Sequence, residues 1–248
     1  MTPPVLVAAS AYGADFVRQV GHAHLVPMVA AAGAAGLEIR RELFAELPDF
    51  KALHAVLAAH GLCSVYSAPI ELFREDGALA REELDQVMAE AEQLQSRCLK
   101  VSLGHFSPAS KMQELSHFVA QAPLPLLLEN DQTAHGGKLE AIASFLSMCS
   151  ASDVPFGMTF DMGNWRWSGV DAEVAARTLA AHVQYVHCKG VWNDQGKLKA
   201  IPLEQDDAVW RRLFSYFPHG VQRAIEFPII DQDLEAATRR YVAMLASA

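Results

Sequence analysis

The chain has 248 residues, 51% of them apolar and 20% charged, a globular composition that excludes a disordered chain. Lys and Arg number 20 against 29 Asp and Glu, and the formal net charge of −9 argues against a nucleic-acid partner, because a phosphate backbone is bound by basic side chains. Divided by eight, 248 gives 31 residues, the size of one strand-plus-helix unit, so a single β/α barrel of about 250 residues accounts for the length.

The chain opens MTPPVLVAAS, with no basic residue before Arg18, which argues against a secretory signal. Its most apolar window, Leu25 to Leu37, has 13 residues and contains Pro27; a bilayer span needs about 20, so no membrane partner is expected. Cys63, Cys98, Cys149 and Cys188 form no CxxC pattern, and each sits in an apolar stretch. Four reduced, buried thiols in a cytoplasmic protein are expected.

In chain order, short apolar runs predict eight strands: Val5–Ser10, Gly36–Arg41, Cys63–Ala68, Cys98–Leu103, Leu124–Asn130, Phe156–Met162, Val183–Lys189 and Gln222–Phe227. Between them lie amphipathic stretches. Over Ala78–Leu94, residues Leu84, Val87, Met88, Ala91 and Leu94 recur at helical spacing with Glu and Arg opposite. Lys138–Met148, Asp171–His182, Asp206–Phe217 and Leu234–Leu245 repeat the pattern, and Gly61 suits a helix C-cap after Leu53–His60. Strict alternation predicts an α/β fold with a parallel sheet, and eight units can close into a (β/α)8 TIM barrel spanning 1–248 as one domain. An open doubly wound sheet is the competitor. It calls for a Gly-rich turn after the first strand, where Ala9–Ala14 offers only Gly13.

Barrel chemistry sits at the C-terminal strand ends. Strands five to eight end in Glu129, Asp161, His187 and Glu226, one potential metal ligand each. Burying three unpaired acids together is costly; a bound divalent cation, protonation, or pairing with Arg or Lys could offset that, and a cation accounts for all three acids and the histidine at once. Three oxygen donors and one imidazole suit Mn²⁺, Mg²⁺ or Co²⁺ with open positions, with Zn²⁺ a further candidate. Each residue also has a plainer reading. Asp161 could start a turn, His187 could be a hydrogen-bonded core histidine, Glu226 could open a helix, and Glu129 could lie in a solvated loop. Residues two apart on a strand share a face, which places Lys189 with His187 and Arg40 with Glu38. Lys189 could reach a substrate oxygen or carboxylate. The Glu38–Arg40 pair could read a polar substrate or form an ion pair in the barrel mouth. His105, Tyr66, Trp165 and Trp167 could line the pocket or pack. His22, His24, His54 and His60 fall on helices or their ends, away from the site.

The segments GLEIR, LLLENDQT with HGG, TFDMGNW, YVHCKG, IPL and AIEFP, taken in order, resemble the xylose isomerase-like TIM-barrel superfamily of sugar isomerases, epimerases and related enzymes. The resemblance covers most of the chain and is specific in the second half. It implies one divalent metal held by Glu129, Asp161, His187 and Glu226. It implies proton transfer by Glu129 and Glu226 through a cis-enediolate, in an isomerase or epimerase of a small sugar or polyhydroxy ketone. A dehydratase of a 3-dehydroshikimate-like keto-acid in the same scaffold is the alternative. A metal- or sugar-binding regulatory barrel without turnover is a third reading. Homo-oligomers are common in the superfamily. Where many members carry DxxH, this chain has Asn164, placed here among the substrate-binding residues. No Asp-x-His follows strand seven, and Gln195-Gly196-Lys197 stands where epimerases usually carry an arginine, which argues against an endonuclease and leaves the substrate open.

Overall fold

Nearly continuous apolar runs become strands here because both faces of each are covered, by helices outside and by side chains inside. Residues 2–205 and 209–248 are described by a computed structural model of the chain. Its strands are β1 (Val5–Ala8), β2 (Gly36–Arg40), β3 (Cys63–Phe73), β4 (Leu99–Gly104), β5 (Leu126–Glu129), β6 (Phe156–Asp161), β7 (Val183–Cys188), β8 (Gly190–Asp194), β9 (Lys197–Ile201) and β10 (Gln222–Ile225). Eight of them close in parallel in the order β1-β10-β7-β6-β5-β4-β3-β2. The (β/α)8 barrel expected from the alternation of strand and helix is thus formed, and the open sheet is not.

Helices pack outside the ring. Asp49, Asp171 and Asp233 cap the helices Phe50–Ala59, Ala172–Leu179 and Leu234–Ala246 by accepting from backbone N–H groups that the first turn leaves unpaired. The helix Arg81–Gln93 buries Leu84, Val87, Met88 and Ala91. Each large apolar side chain so buried stabilises the fold by about 1.5–3 kcal/mol. Of the helix expected over Asp206–Phe217, residues 206–208 lie outside the described residues, and a short helix forms at Val209–Leu213. No helix among the described residues is long and apolar enough to cross a membrane. The four cysteines are unpaired; Cys98, Cys149 and Cys188 are buried as expected, whereas Cys63 is only partly so.

Two features depart from the expected strands. β3 continues to Phe73, and its register against β4 shifts between Ser67 and Glu71. The segment after strand seven folds into the antiparallel hairpin β8–β9, whose turn residues Gln195 and Gly196 both have positive φ, as a type I′ hairpin turn requires.

The barrel interior is layered by the period-two alternation. Leu6, Val65, Cys98, Leu127, Tyr185 and Ala224 form a small buried apolar cluster. Two residues further along several of the same strands stand Lys100, Glu129, His187 and Glu226. The polar layer therefore rests on an apolar floor.

Candidate active site

Four strand ends converge on one point. One ligand atom from each of Glu129, Asp161, His187 and Glu226 lies within 4.8 Å of the others. The Nδ1 atom of His187 is 2.8 Å from Glu129 Oε1, 3.0 Å from Glu226 Oε2 and 3.8 Å from Asp161 Oδ2. Local structure fixes each arm. Asp161 uses Oδ1 to accept from the N–H groups of Gly163 and Asn164, which turns the chain after β6 and leaves Oδ2 aimed inward. Asn130 locks this turn to β5, accepting from Asp161 N–H and donating to Asp161 C=O. The turn reading of Asp161 and the ligand reading therefore use different oxygens of one carboxylate.

Beneath and beside the cluster lies a shell of charges. Lys100, 1% exposed on β4, places Nζ 2.7 Å from Glu129 Oε2 and 3.0 Å from Glu38 Oε1. Glu38 Oε2 in turn lies 2.6 Å from His187 Nε2. Lys189 Nζ sits 2.7 Å from Asp161 Oδ2 and donates to Glu226 Oε2 at 3.0 Å. Arg40 donates from Nη1 to Glu226 Oε1 at 2.8 Å. Gly163 makes room for this, since a Cβ there would meet Lys189 Cγ at 2.6 Å.

Burial alone would raise the carboxyl of Glu129, but Lys100 and His187 outweigh it and hold it down to about 2. Burial likewise opposes the ionisation of Glu226, yet His187, Lys189 and Arg40 hold its carboxyl well below the usual range. Asp161 goes the other way, because burial outweighs the attraction of Lys189. Burial disfavours a charged His187, but the surrounding Glu226 and Glu38 carboxylates keep it protonated well above its ordinary range in the ion-free protein.

The residues fit a divalent cation. Among the described residues Glu129 Oε1, Asp161 Oδ2 and His187 Nδ1 are buried and face the same point, and although charged neighbours stand at 2.7–2.8 Å none of the three has a partner in hydrogen-bonding geometry. Buried polar atoms are rarely left so. A hard, oxygen-rich set with one imidazole matches Mn²⁺, Mg²⁺ or Co²⁺. Above the point opens a cavity of about 520 Å³ lined by Ser10, Arg40, Ser67, Lys100, Glu129, Gln132, Asn164, Lys189, Ala200 and Glu226, among others.

No model of a known protein family matches the sequence, and no curated protein matches it. Solved structures do. A xylose isomerase domain containing protein from Salmonella typhimurium superposes with a TM-score of 0.74 at 14% identity, over 99% of this chain and 98% of that one. The chain has the xylose isomerase-like barrel fold. A probable 3-DHS dehydratase involved in petrobactin synthesis from Bacillus anthracis gives a TM-score of 0.71 at 13% identity, over 98% of both chains. D-psicose 3-epimerase from Clostridium cellulolyticum gives 0.70 at 10% identity, over 97% of both.

Within this xylose isomerase-like barrel the expected site residues separate into groups. Glu129, Asp161, His187 and Glu226 come together, with Lys189, Arg40 and Asn164 at the same cavity. Asn164 is already engaged at both ends of its amide, accepting from Gln132 and donating to Asn130 C=O, so it ties two loops together. Three expectations are corrected. Glu38 is fully buried and meets Lys100 and His187 instead of the cavity, so its substrate reading fails while its ion pair with Arg40, at 3.3 Å, is formed. Trp165 is fully buried against Phe160, so its ring cannot face a ligand. His105 stacks on His135 beside a separate cavity. Tyr66, which could have lined the pocket, is buried and donates to Glu90 at 2.6 Å. His22 is the one helix histidine that touches the site's frame, accepting from the backbone N–H of Arg40 at 3.2 Å.

Lys100 and the floor role of Glu38 escaped sequence reasoning. The signal was present, because Lys100 is the only charge in the run Cys98–Leu103, and an ammonium inside a covered strand demands buried acids opposite it.

Proposed function

We propose that this chain is a divalent-cation-dependent enzyme that moves a proton at the carbon next to a ketone, as an isomerase or epimerase of a small sugar or polyhydroxy ketone. The observation that carries this reading is the convergence of Glu129, Asp161, His187 and Glu226 on one point below an open cavity, one ligand atom from each within 4.8 Å of the others. Fold neighbours that include an epimerase support the reaction class by analogy.

The four residues would hold the ion, with His187 binding through Nδ1. When bound, the ion acts as a Lewis acid on the ketone oxygen. Glu129 and Glu226 reach the cavity from non-adjacent strands, so one can take a proton from the carbon and the other return it. Glu38 orients His187. Lys189 and Arg40, both at the cavity wall and both on Glu226, orient substrate oxygens. Asn164 and Gln132 fix the loops that shape the rim.

Those same two cations favour a second reading, a dehydratase of a keto-acid, since they suit a substrate carboxylate; a dehydratase among the fold neighbours supports it. One experiment tests both. The Mn²⁺-loaded protein is incubated in deuterated water with a panel of ketoses and keto-acids and followed by NMR. Deuterium incorporated at carbon beside a retained ketone supports the isomerase, and an unsaturated product supports the dehydratase. Full turnover in both Glu129→Gln and Glu226→Gln would remove the proposed roles.

A further inference from the structure

A second convergence of metal-binding side chains lies outside the cavity described above. Glu71, on the extended end of β3, meets His105 after β4 and His135 after β5, with one ligand atom from each within 4.8 Å of the others. His135 Nε2 is 2.7 Å from Glu71 Oε1, and His105 Nε2 is 3.8 Å from Oε2 of the same carboxylate. The two imidazoles stack at 3.9 Å with their planes 21° apart, presenting both Nε2 atoms to one carboxylate.

The backbone is shaped for this meeting. The register shift between Ser67 and Glu71 carries β3 upward. Gly104 then lets β4 pass: its φ is +68°, and a Cβ there would lie 2.3 Å from Phe73 O and 2.7 Å from Glu71 Cβ. The following N–H, of His105, donates to Phe73 O. On the other side Gly136 could carry no Cβ without striking the Asp131 carboxylate at 2.3 Å, and its N–H donates to Thr133 Oγ1. A cavity of about 300 Å³ opens beside the histidines, with the acids Glu75 and Asp76 on its wall.

We propose that Glu71, His105 and His135 form a second metal site, which takes a zinc-type cation and keeps one coordination position open to this cavity. Two imidazoles and one carboxylate are a softer set than the oxygen-rich cluster at Glu129, and three protein ligands with a free fourth position are typical of a reactive or exchangeable zinc site. Ligand atoms around a tetrahedral zinc stand about 3.4 Å apart, so loading would require the stacked imidazoles to splay from their present parallel arrangement. The site does not depend on the function proposed for the larger cavity.

The full chain, stripped with a chelator, is titrated with Zn²⁺ by calorimetry and bound zinc is counted after dialysis. The wild type should hold two equivalents. Glu129→Gln/Asp161→Asn should keep one, and adding His135→Asn should abolish it. In Co²⁺-loaded Glu129→Gln/Asp161→Asn, visible absorption of a low-coordinate ion should appear and vanish with His105→Asn. Should the double variant fail to fold, His135→Asn alone decides: loss of one zinc equivalent against wild type supports the site. A double variant that folds and binds no zinc, or a His135→Asn chain that keeps the full wild-type amount, overturns it.

Discussion

The Nε2 atom of His187 lies 2.6 Å from Oε2 of Glu38, while the opposite ring nitrogen faces three carboxylates. Glu38 is held ionised, because His187 and Lys100 outweigh its burial, and an ionised carboxylate only accepts. The ring proton is thereby fixed on Nε2, and Nδ1 is the nitrogen available to an ion. Glu38→Gln should weaken Mn²⁺ binding about 10- to 100-fold, the usual cost of losing the partner behind a metal-ligating histidine. Competition against a chromophoric chelator measures it, and unchanged affinity would free Glu38 of this role.

Lys100 is the charge that allows Glu38 and Glu129 to share one interior. Lys100→Met should destabilise the ion-free protein by about 3–5 kcal/mol, because it strands buried carboxylates rather than because the ion pair itself is worth that much. Lys100→Met/Glu38→Gln should recover part of the loss. Urea unfolding of the chelated proteins reads both.

The ammonium of Lys189 lies against Asp161 and Glu226, two of the groups an ion must also contact. Lys189→Met should therefore bind Mn²⁺ more tightly than wild type and turn over more slowly. In wild type, ion binding should also release protons, since His187 is charged before the ion arrives, so affinity should rise with pH. Calorimetry in buffers of different ionisation enthalpy counts the protons.

His22 contributes the part of the acid limb of stability that lies between pH 6.5 and about pH 4. Burial, with help from the Arg40 charge, lowers its ring from an ordinary 6.5 to about 4. The folded state thus takes up the proton later than the unfolded chain. The stabilisation is complete above pH 6.5 and is lost as pH falls from there towards 4, a change of about 3 kcal/mol. His22→Gln, which keeps an acceptor for Arg40 N–H, should flatten the difference in urea midpoint between pH 7 and pH 4.5.

The strands and the four converging ligands were legible because each lies in a covered run with a polar residue at its end, and barrel topology turns four such ends into neighbours. What lay beyond the sequence depended on facing and register. A lone lysine in β4 reads as a surface position until the period-two alternation points it inward beside Glu38 and Glu129. The irregularity after Ser67 re-aims Glu71. Trp165 follows Gly163 and Asn164 into a short helix, Asn164–Trp167, that turns its ring to the core, which no spacing rule at a strand end anticipates. His105 follows β4, next to the strand that carries Glu129, but stacks on His135 at a separate cavity.

The barrel carries its own counter-charges. Lys100, Lys189, Arg40 and a protonated His187 stand among Glu38, Glu129, Asp161 and Glu226, with Arg40 shared also with Glu42. The fold should therefore form without a cation, and chelation should empty the site without melting the protein. Loading then becomes a late, reversible step, open to whichever divalent species the surroundings supply.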